Sequence, residues 1–277
     1  MPPDRRASPR SVNKGNAGWI FVLPSLALLA LMGLPLLALV WRAAGKSFFA
    51  NILSPTALAA LQLSLVTTAV TVVLTIATGT PLAYLLAHAK FRGRTAVELL
   101  VDLPVVLPPS VAGLALLIAF GRQGVFGGIL NAVGISLPFT TAAVVLAQTF
   151  VSAPLYVRSA RLGFAGIDRQ IEEAATVEGA SEWQSFRYIM LPLAGRALLT
   201  GLVLTGTRAL GEFGATLLFA GNLQGTTQTM PLAIYLGFEQ GLGVAIALSV
   251  MLVLVSIVLL GATRWLERSS NLEDRDL

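Results

Sequence analysis

The chain has 277 residues, 55% of them apolar or aromatic and only 12% charged. Charge in an ordinary soluble domain runs at about 25%, and a chain this apolar has too little polar surface to cover a soluble body. The composition excludes a disordered chain, and the absence of cysteine excludes a disulfide framework, thiolate metal sites and cysteine nucleophiles.

A membrane-crossing helix needs about 20 mainly apolar residues. Six such runs lie near 18–41, 57–88, 99–120, 139–157, 193–220 and 242–264. They are continuous rather than alternating, which argues against soluble β-structure and against a membrane barrel. The expectation is an all-α membrane protein of six transmembrane helices. The first run, from Trp19 to Trp41, exceeds the 7–15 residues typical of a signal-peptide core and has aromatic ends suited to two interfaces. It reads as an uncleaved span.

Lysine and arginine set the direction. One side collects Arg5, Arg6, Arg10, Lys14, Lys90, Arg92, Arg94, Arg158, Arg161, Arg169, Arg187, Arg196, Arg264, Arg268 and Arg275, which makes fifteen. The other has three, Arg42, Lys46 and Arg122, with Arg208 left inside a span. Both termini are therefore expected in the cytoplasm. The chain divides into a basic cytoplasmic tail (1–17), a transmembrane domain (18–265) with a cytoplasmic loop at 158–192 between spans four and five, and a second tail (266–277).

After span one, Gly45-Lys46-Ser47 echoes a phosphate loop, but Val40 stands where its first glycine belongs, and the segment falls on the outer side, away from ATP. Span two carries a stripe at Ser64, Thr68, Thr71, Thr75 and Thr78, whose steps of four and three keep it on one face. Threonine hydroxyls can satisfy their own helix, so the stripe fits a helix contact and a neutral polar route equally. His88, the sole histidine, ends this span and reads as an interfacial residue rather than a metal ligand or proton relay. Asp102, early in span three, is expected to cap that helix or meet a cation of loop two. Pro104, Pro108 and Pro109 are expected to break the span, and broken helices often border pathways.

The loop at 158–192 carries helix punctuation twice. Asp168 can cap a first helix, with Glu172 and Glu173 near its positive end, and Gly179 fits the left-handed position that ends it. Ser181 and Gln184 form the capping box of a second helix expected to stop by Pro192. Ile171, Ala175, Gly179 and Trp183 form an apolar ridge. Five acids against four arginines before span five make the helix–Gly–helix pattern unsuitable for nucleic acid. The loop suits docking on another protein better than lying on lipid headgroups, where basic faces are favoured.

Within span five, Arg208 lies about 18 Å along the helix from Arg196 (1.5 Å per residue). Glu212 follows one turn on, and Thr205 precedes. An intramembrane ion is a functional candidate by default. Arg208 reads either as half of an ion pair locking span five to a neighbour or as a cation awaiting a passing oxyanion. A carboxylate four residues away neutralises much of its field, which favours the lock.

The pattern Glu173-Ala174-Ala175, three residues, Gly179, nine residues, Ile189-x-Leu191-Pro192 resembles the EAA signature of bacterial ABC importer permeases. Three further stretches are similar to the molybdate permease subgroup: Asp102 to Gly113, Arg208 to Thr216, and Gly225 to Tyr235. The Gly-Glu-Phe-Gly element at 211–214 is shared with sulfate permeases, whereas Thr-Gln-Thr-x-Pro-Leu-Ala-Ile-Tyr at 227–235 points to molybdate. The resemblance runs from about residue 57 to 265.

It implies a multi-pass permease subunit of the bacterial inner membrane, itself no enzyme, that imports molybdate by alternating access. A sulfate, thiosulfate or tungstate permease is the near alternative. An ion-coupled secondary transporter is the distant one, but no inverted repeat is evident, and Asp102 and Glu212 are its only candidate buried carboxylates. The implied partners are a second copy of the chain, two ATPase subunits that carry ATP and magnesium, an extracytoplasmic oxyanion-binding protein and membrane lipid. No cofactor and no nucleic acid is expected on this chain. Glu173, Ala174, Ala175, Gly179, Ile189, Leu191 and Pro192 would couple to the ATPase, the small residues allowing close backbone approach. Arg208, Glu212, Thr205, Thr68, Thr71 and Thr75 are the candidates for pathway or gate.

Overall fold

A computed structural model describes residues 17–45 and 48–273. The basic residues Arg5, Arg6, Arg10 and Lys14, with Lys46 and Arg275, lie outside the described residues. So do most of the amino-terminal tail and the last four residues of the chain.

The described residues are helical, with no strand among them. The first compact unit ends at Gly45 and contains α1 (Ala17–Ala43), with Trp19 and Trp41 exposed near its ends. The second unit begins with α2 (Phe48–Ile52) and α3 (Pro55–His88). Ser54 caps α3 by accepting from the Ala57 amide at 3.3 Å, and Pro55 occupies the first turn, where a missing N–H costs nothing. Then come α4 (Arg94–Val106), α5 (Pro109–Phe120), α6 (Gly127–Ala132) and α7 (Thr141–Ala165). The loop after α7 holds α8 (Arg169–Val177), α9 (Glu182–Ser185), a π-helical turn at Phe186–Met190 and α10 (Leu191–Leu193). The chain ends with α11 (Gly195–Leu210), α12 (Gly214–Ala220), α13 (Met230–Gln240) and α14 (Leu242–Glu273).

Among the described residues, three helices are each long and apolar enough to cross a membrane: α1 over Phe21–Ala43, α3, and α14 over Leu242–Gly261. The expected third span is two helices, α4 and α5, meeting at 119°. The break falls at Leu107–Pro108, as the Pro104, Pro108 and Pro109 cluster predicts, because proline removes a helix donor and holds its predecessor extended. Counting each bent pair as one span gives five. The expected fourth span is α7, 25 residues long but less apolar. Its character follows from its place, since it packs against α3, α4, α5, α11 and α12, so neighbouring helices rather than lipid cover much of it.

Two of the three buried clusters share α7. Ala143, Val144, Ala147 and Val151 meet Leu116 of α5 and Phe219 of α12. Tyr156, Val157, Ala160 and Phe164 meet Ala83 and Leu86 of α3 and Met190 of the π-helical turn. The third cluster joins α3 (Ala57, Ala60) to Met230, Ala233 and Leu248. Alanine at the contacts lets helices approach closely where lipid gives no hydrophobic drive. At Gly214 a Cβ would lie 2.7 Å from the Pro109 side chain, so glycine there sets the spacing between α12 and α5.

Two expected boundaries move. The second helix of the loop runs on past Pro192, which sits in the first turn of α10, and the chain bends by 70° beside Ala194. The π-helical turn moves the hydrogen-bond register, with the Leu191 amide donating to the Phe186 carbonyl, just before a residue that has no amide to offer. Span five is also split, with Gly211–Phe213 separating α11 from α12.

Candidate functional site

The loop between α7 and α11 forms two short helices by its own chemistry. The Asp168 carboxylate accepts from the Gln170 amide at 3.0 Å, capping α8. Gly179 follows α8 at φ +87°, a conformation that costs an ordinary L-residue about 1–2 kcal/mol. A Cβ there would meet nothing within 4 Å. Within this chain, then, the sign of φ and not close approach demands glycine. Ser181 and Gln184 form the expected capping box, the Ser181 amide donating to Gln184 Oε1 at 2.8 Å.

The candidate coupling residues divide between two faces. Glu173 and Ala174 are exposed, as are Gly179 and Pro192, whereas Ala175 is buried and Ile189 and Leu191 are half-buried. The expected apolar ridge is not continuous. Ala175 turns inward, while Ile171, on the same helix, and Trp183, beyond the break at Gly179, are exposed.

Exposed apolar side chains, Ile171 and Val177, flank Glu173 and Ala174 along α8. α8 is tied to α3 by Glu172, which accepts from the Tyr84 hydroxyl at 3.1 Å and lies 3.9 Å from His88 Nε2. His88 is thus a partner of the loop rather than a free interfacial residue.

The second candidate region is a buried polar seam where α3, α7 and α11 meet. Ser64, Thr68, Thr71 and Thr75 are buried, but Thr78 is exposed and bonds to its own helix at Leu74. The stripe therefore ends at Thr75. Thr71 donates to Gln148 Oε1 at 3.2 Å, and Gln148 Nε2 donates to the Ala209 carbonyl at 3.1 Å. Gln148 thus links all three helices. Thr205 donates to the Ser152 carbonyl at 3.3 Å, while the Thr68 and Thr75 hydroxyls have no hydrogen-bond partner.

Thr80 and Tyr156 share a hydroxyl–hydroxyl bond of 2.7 Å nearer the end of α3. The sequence reading missed Gln148 and Tyr156. Gln148 had a signal, as an amide within an apolar run, whereas Tyr156 had none beyond its type.

The Arg208–Glu212 pair forms, at 2.5 Å, with Glu212 only 1% exposed and Arg208 a third exposed. It does not lock span five to a neighbouring helix. The other Glu212 oxygen accepts from the Ala215 amide at 2.8 Å, so the carboxylate bridges α11 and the first turn of α12. The reason is the break at Gly211–Phe213, which leaves amides at the start of α12 needing an acceptor. Asp102 also differs from expectation. It lies inside α4 and pairs at 2.5 Å with Arg158 of α7, beside a second pair, Glu98–Arg161 at 2.9 Å. Charges thus pin α4 to α7.

No group of three or more histidine or carboxylate residues suited to a metal occurs among the described residues. The Gly45-Lys46-Ser47 segment falls partly outside them.

Residues 79–271 match the family described as "Binding-protein-dependent transport system inner membrane component". The chain is 43% identical over 244 residues to the molybdenum transport system permease protein ModB of Mycobacterium tuberculosis, covering 88% of this chain and 92% of that one. It is 37% identical over 217 residues to ModB of Escherichia coli K12, covering 76% and 93%. Among solved structures, it resembles a chain of a bacterial ABC transporter involved in import of the acidic polysaccharide alginate. That likeness has TM-score 0.71 at 18% identity and covers 91% of this chain and 94% of that one. A chain of the MetNI methionine ABC transporter in an inward-facing conformation gives TM-score 0.58 at 20% identity, covering 76% and 94%. At such identity these two likenesses concern the fold.

Proposed function

Because the chain belongs to the family of binding-protein-dependent transport system inner membrane components, we propose that it is the membrane subunit of an ATP-driven importer of molybdate. The protein is a multi-pass inner-membrane permease, and ATP hydrolysis resides on a separate ATPase chain. Six spans with both termini cytoplasmic agree with the distribution of arginine and lysine. They require α7 and the two bent pairs each to count as one span. A homodimer, two ATPases and an extracytoplasmic oxyanion-binding protein complete the assembly. The alginate importer, solved with its substrate-bound periplasmic protein, supports a partner of that last kind.

The observation that carries the reading is the capped loop. An EAA segment with Glu173 and Ala174 exposed, ended by a left-handed Gly179, is an isolated helix offered to a partner. In the mechanism, closure of the ATPase pair displaces α8, and the spans reorient. The candidate lining of the anion's route is Thr68, Thr71, Thr75 and Thr205, with Arg208 and Glu212 at the break in span five. This conformation buries the four threonines among α3, α7 and α11, so they meet an anion only when those helices part. Hydroxyls without charge hold an anion weakly enough to release it. Arg208 already has a partner, so Arg208–Glu212 serves as a gate element rather than a binding site.

Uptake by vesicles holding the full assembly tests this. Labelled molybdate accumulates with ATP and continues to do so when the proton gradient is collapsed. Accumulation that follows the gradient and ignores ATP means an ion-coupled transporter instead. Competition by tungstate and by sulfate ranks the substrates. Gly179→Trp is expected to cut uptake per ATP by more than 10-fold while the chain still inserts, and normal coupled uptake in that variant removes the role given to the loop.

A further inference from the structure

We propose that Tyr84 and Glu172 form the joint through which movement of α8 reaches the transmembrane helices, with His88 as its third member. The proposal rests on the reading of α8 as the ATPase docking helix. It adds which side chains carry the motion onward.

The argument starts from how little else holds α8. Among the described residues, α8 packs mainly on its neighbour α9. Its other side-chain hydrogen bonds are local: the Asp168 cap and the Thr176 hydroxyl donating to the Glu172 carbonyl. The Tyr84–Glu172 hydrogen bond and the His88–Glu172 approach are the polar side-chain contacts it makes with a long helix. A cleft of about 670 Å³ lies beside them, lined by His88 and Glu172 and by Lys90, Arg169, Glu173 and Thr176, so open space separates part of α8 from the end of α3.

The receiving end is stiff. The Tyr84 ring stacks at 4.5 Å on His88, which itself bonds through Nδ1 to the Tyr84 carbonyl at 3.2 Å. It meets Phe164 of α7 at 5.5 Å and Phe186 of the π-helical turn at 4.9 Å, both edge to face. Phe164 is fully buried. Edge-to-face packing of this kind fixes ring orientation as well as position. A displacement of Glu172 therefore moves a cluster shared by α3, α7 and the turn leading to α11, three elements at once. Glu172 bonds to this cluster, while the adjacent Glu173 is exposed at the same cleft. Neighbouring carboxylates on α8 thus divide the work, Glu172 toward the spans and Glu173 left open to the partner.

These are positioning residues, since neither touches the anion or ATP. The test uses the full assembly in proteoliposomes with Tyr84→Phe, Glu172→Ala and the double variant. It reads anion uptake per ATP hydrolysed, co-purification of the ATPase, and the melting temperature. Tyr84→Phe keeps the ring and removes only the hydroxyl. The expected result is an ATPase that still co-purifies and hydrolyses ATP, an unchanged melting temperature, and uptake per ATP about 10-fold lower, the scale of one hydrogen bond to a charged group. The double variant falls no further than the singles, because one contact is lost once. Wild-type coupling in Tyr84→Phe and Glu172→Ala with the ATPase bound overturns the joint while leaving the docking reading intact. Loss of ATPase co-purification in Glu172→Ala overturns it differently, by making Glu172 a docking residue. Failure of the wild-type chain to retain any ATPase removes the docking reading, and the joint with it.

Discussion

The loop between α7 and α11 and the seam among α3, α7 and α11 use the same residue types to opposite ends. In the loop, Asp168, Ser181 and Gln184 bond to amides two or three residues away, so each short helix is capped from within its own segment. In the seam, Thr71, Gln148 and Thr205 bond to residues 53 to 77 positions distant and have meaning only in the assembled bundle. Local bonds leave an element free to move as a body, whereas distant ones set the packing it moves against. A transporter needs both, a light lever and a bundle whose helices shift without coming apart.

The sharpest way to break this comparison is at the break in span five, where both kinds of bond meet on one carboxylate. Glu212→Ala removes the partner of Arg208 and the acceptor for the Ala215 amide together. A cost of about 2–3 kcal/mol is expected, the scale of a hydrogen bond to a charged group, discounted from a fully buried pair because Arg208 is a third exposed. Glu212→Gln keeps an acceptor for the amide and recovers part of it. Thermal unfolding of the purified assembly in detergent reads both. Equal melting temperatures for the two variants mean that the cap on α12 is worth nothing.

A smaller loss is expected in the seam itself. Gln148→Leu deletes two interhelical bonds while roughly keeping volume. Such bonds average only about 0.6 kcal/mol each within a membrane bundle, so the total should be about 1–2 kcal/mol. Uptake should fall more than stability does if the seam fixes the spacing of α3 against α11. Unchanged uptake with lowered stability makes the seam a plain helix contact.

These differences also explain what was legible in the sequence. The all-helical apolar character, the proline break before α5 and both caps of the loop were readable because each depends on neighbours within a few residues. Ser181-x-x-Gln184 has the same meaning wherever it occurs. The stripe on α3 was readable as far as Thr75, but helical period alone had no way of knowing that the face at Thr78 turns outward. Glu212 was read as pairing with Arg208, yet its second bond depends on a chain break that only the packing of Gly214 against Pro109 makes visible. Asp102 was misassigned for a related reason. Its partner, Arg158, is 56 residues away, and no local pattern marks it. Tyr84 and Glu172, 88 positions apart, are a further case.

The smallest effect belongs to the lever. Ser181→Ala removes one side of the capping box, and a helix cap is worth about 1 kcal/mol. That cost falls on α9 alone. α9 is four residues long and held by the π-helical turn behind it rather than by the bundle. The melting temperature of the assembly should therefore stay where it is, while amide exchange across 182–185 quickens roughly 5-fold, since opening there becomes easier by the value of the cap. A general loss of stability in Ser181→Ala contradicts the separation drawn here. It requires the loop to be packed into the core, and a loop packed that way could not move apart from the spans it is meant to drive.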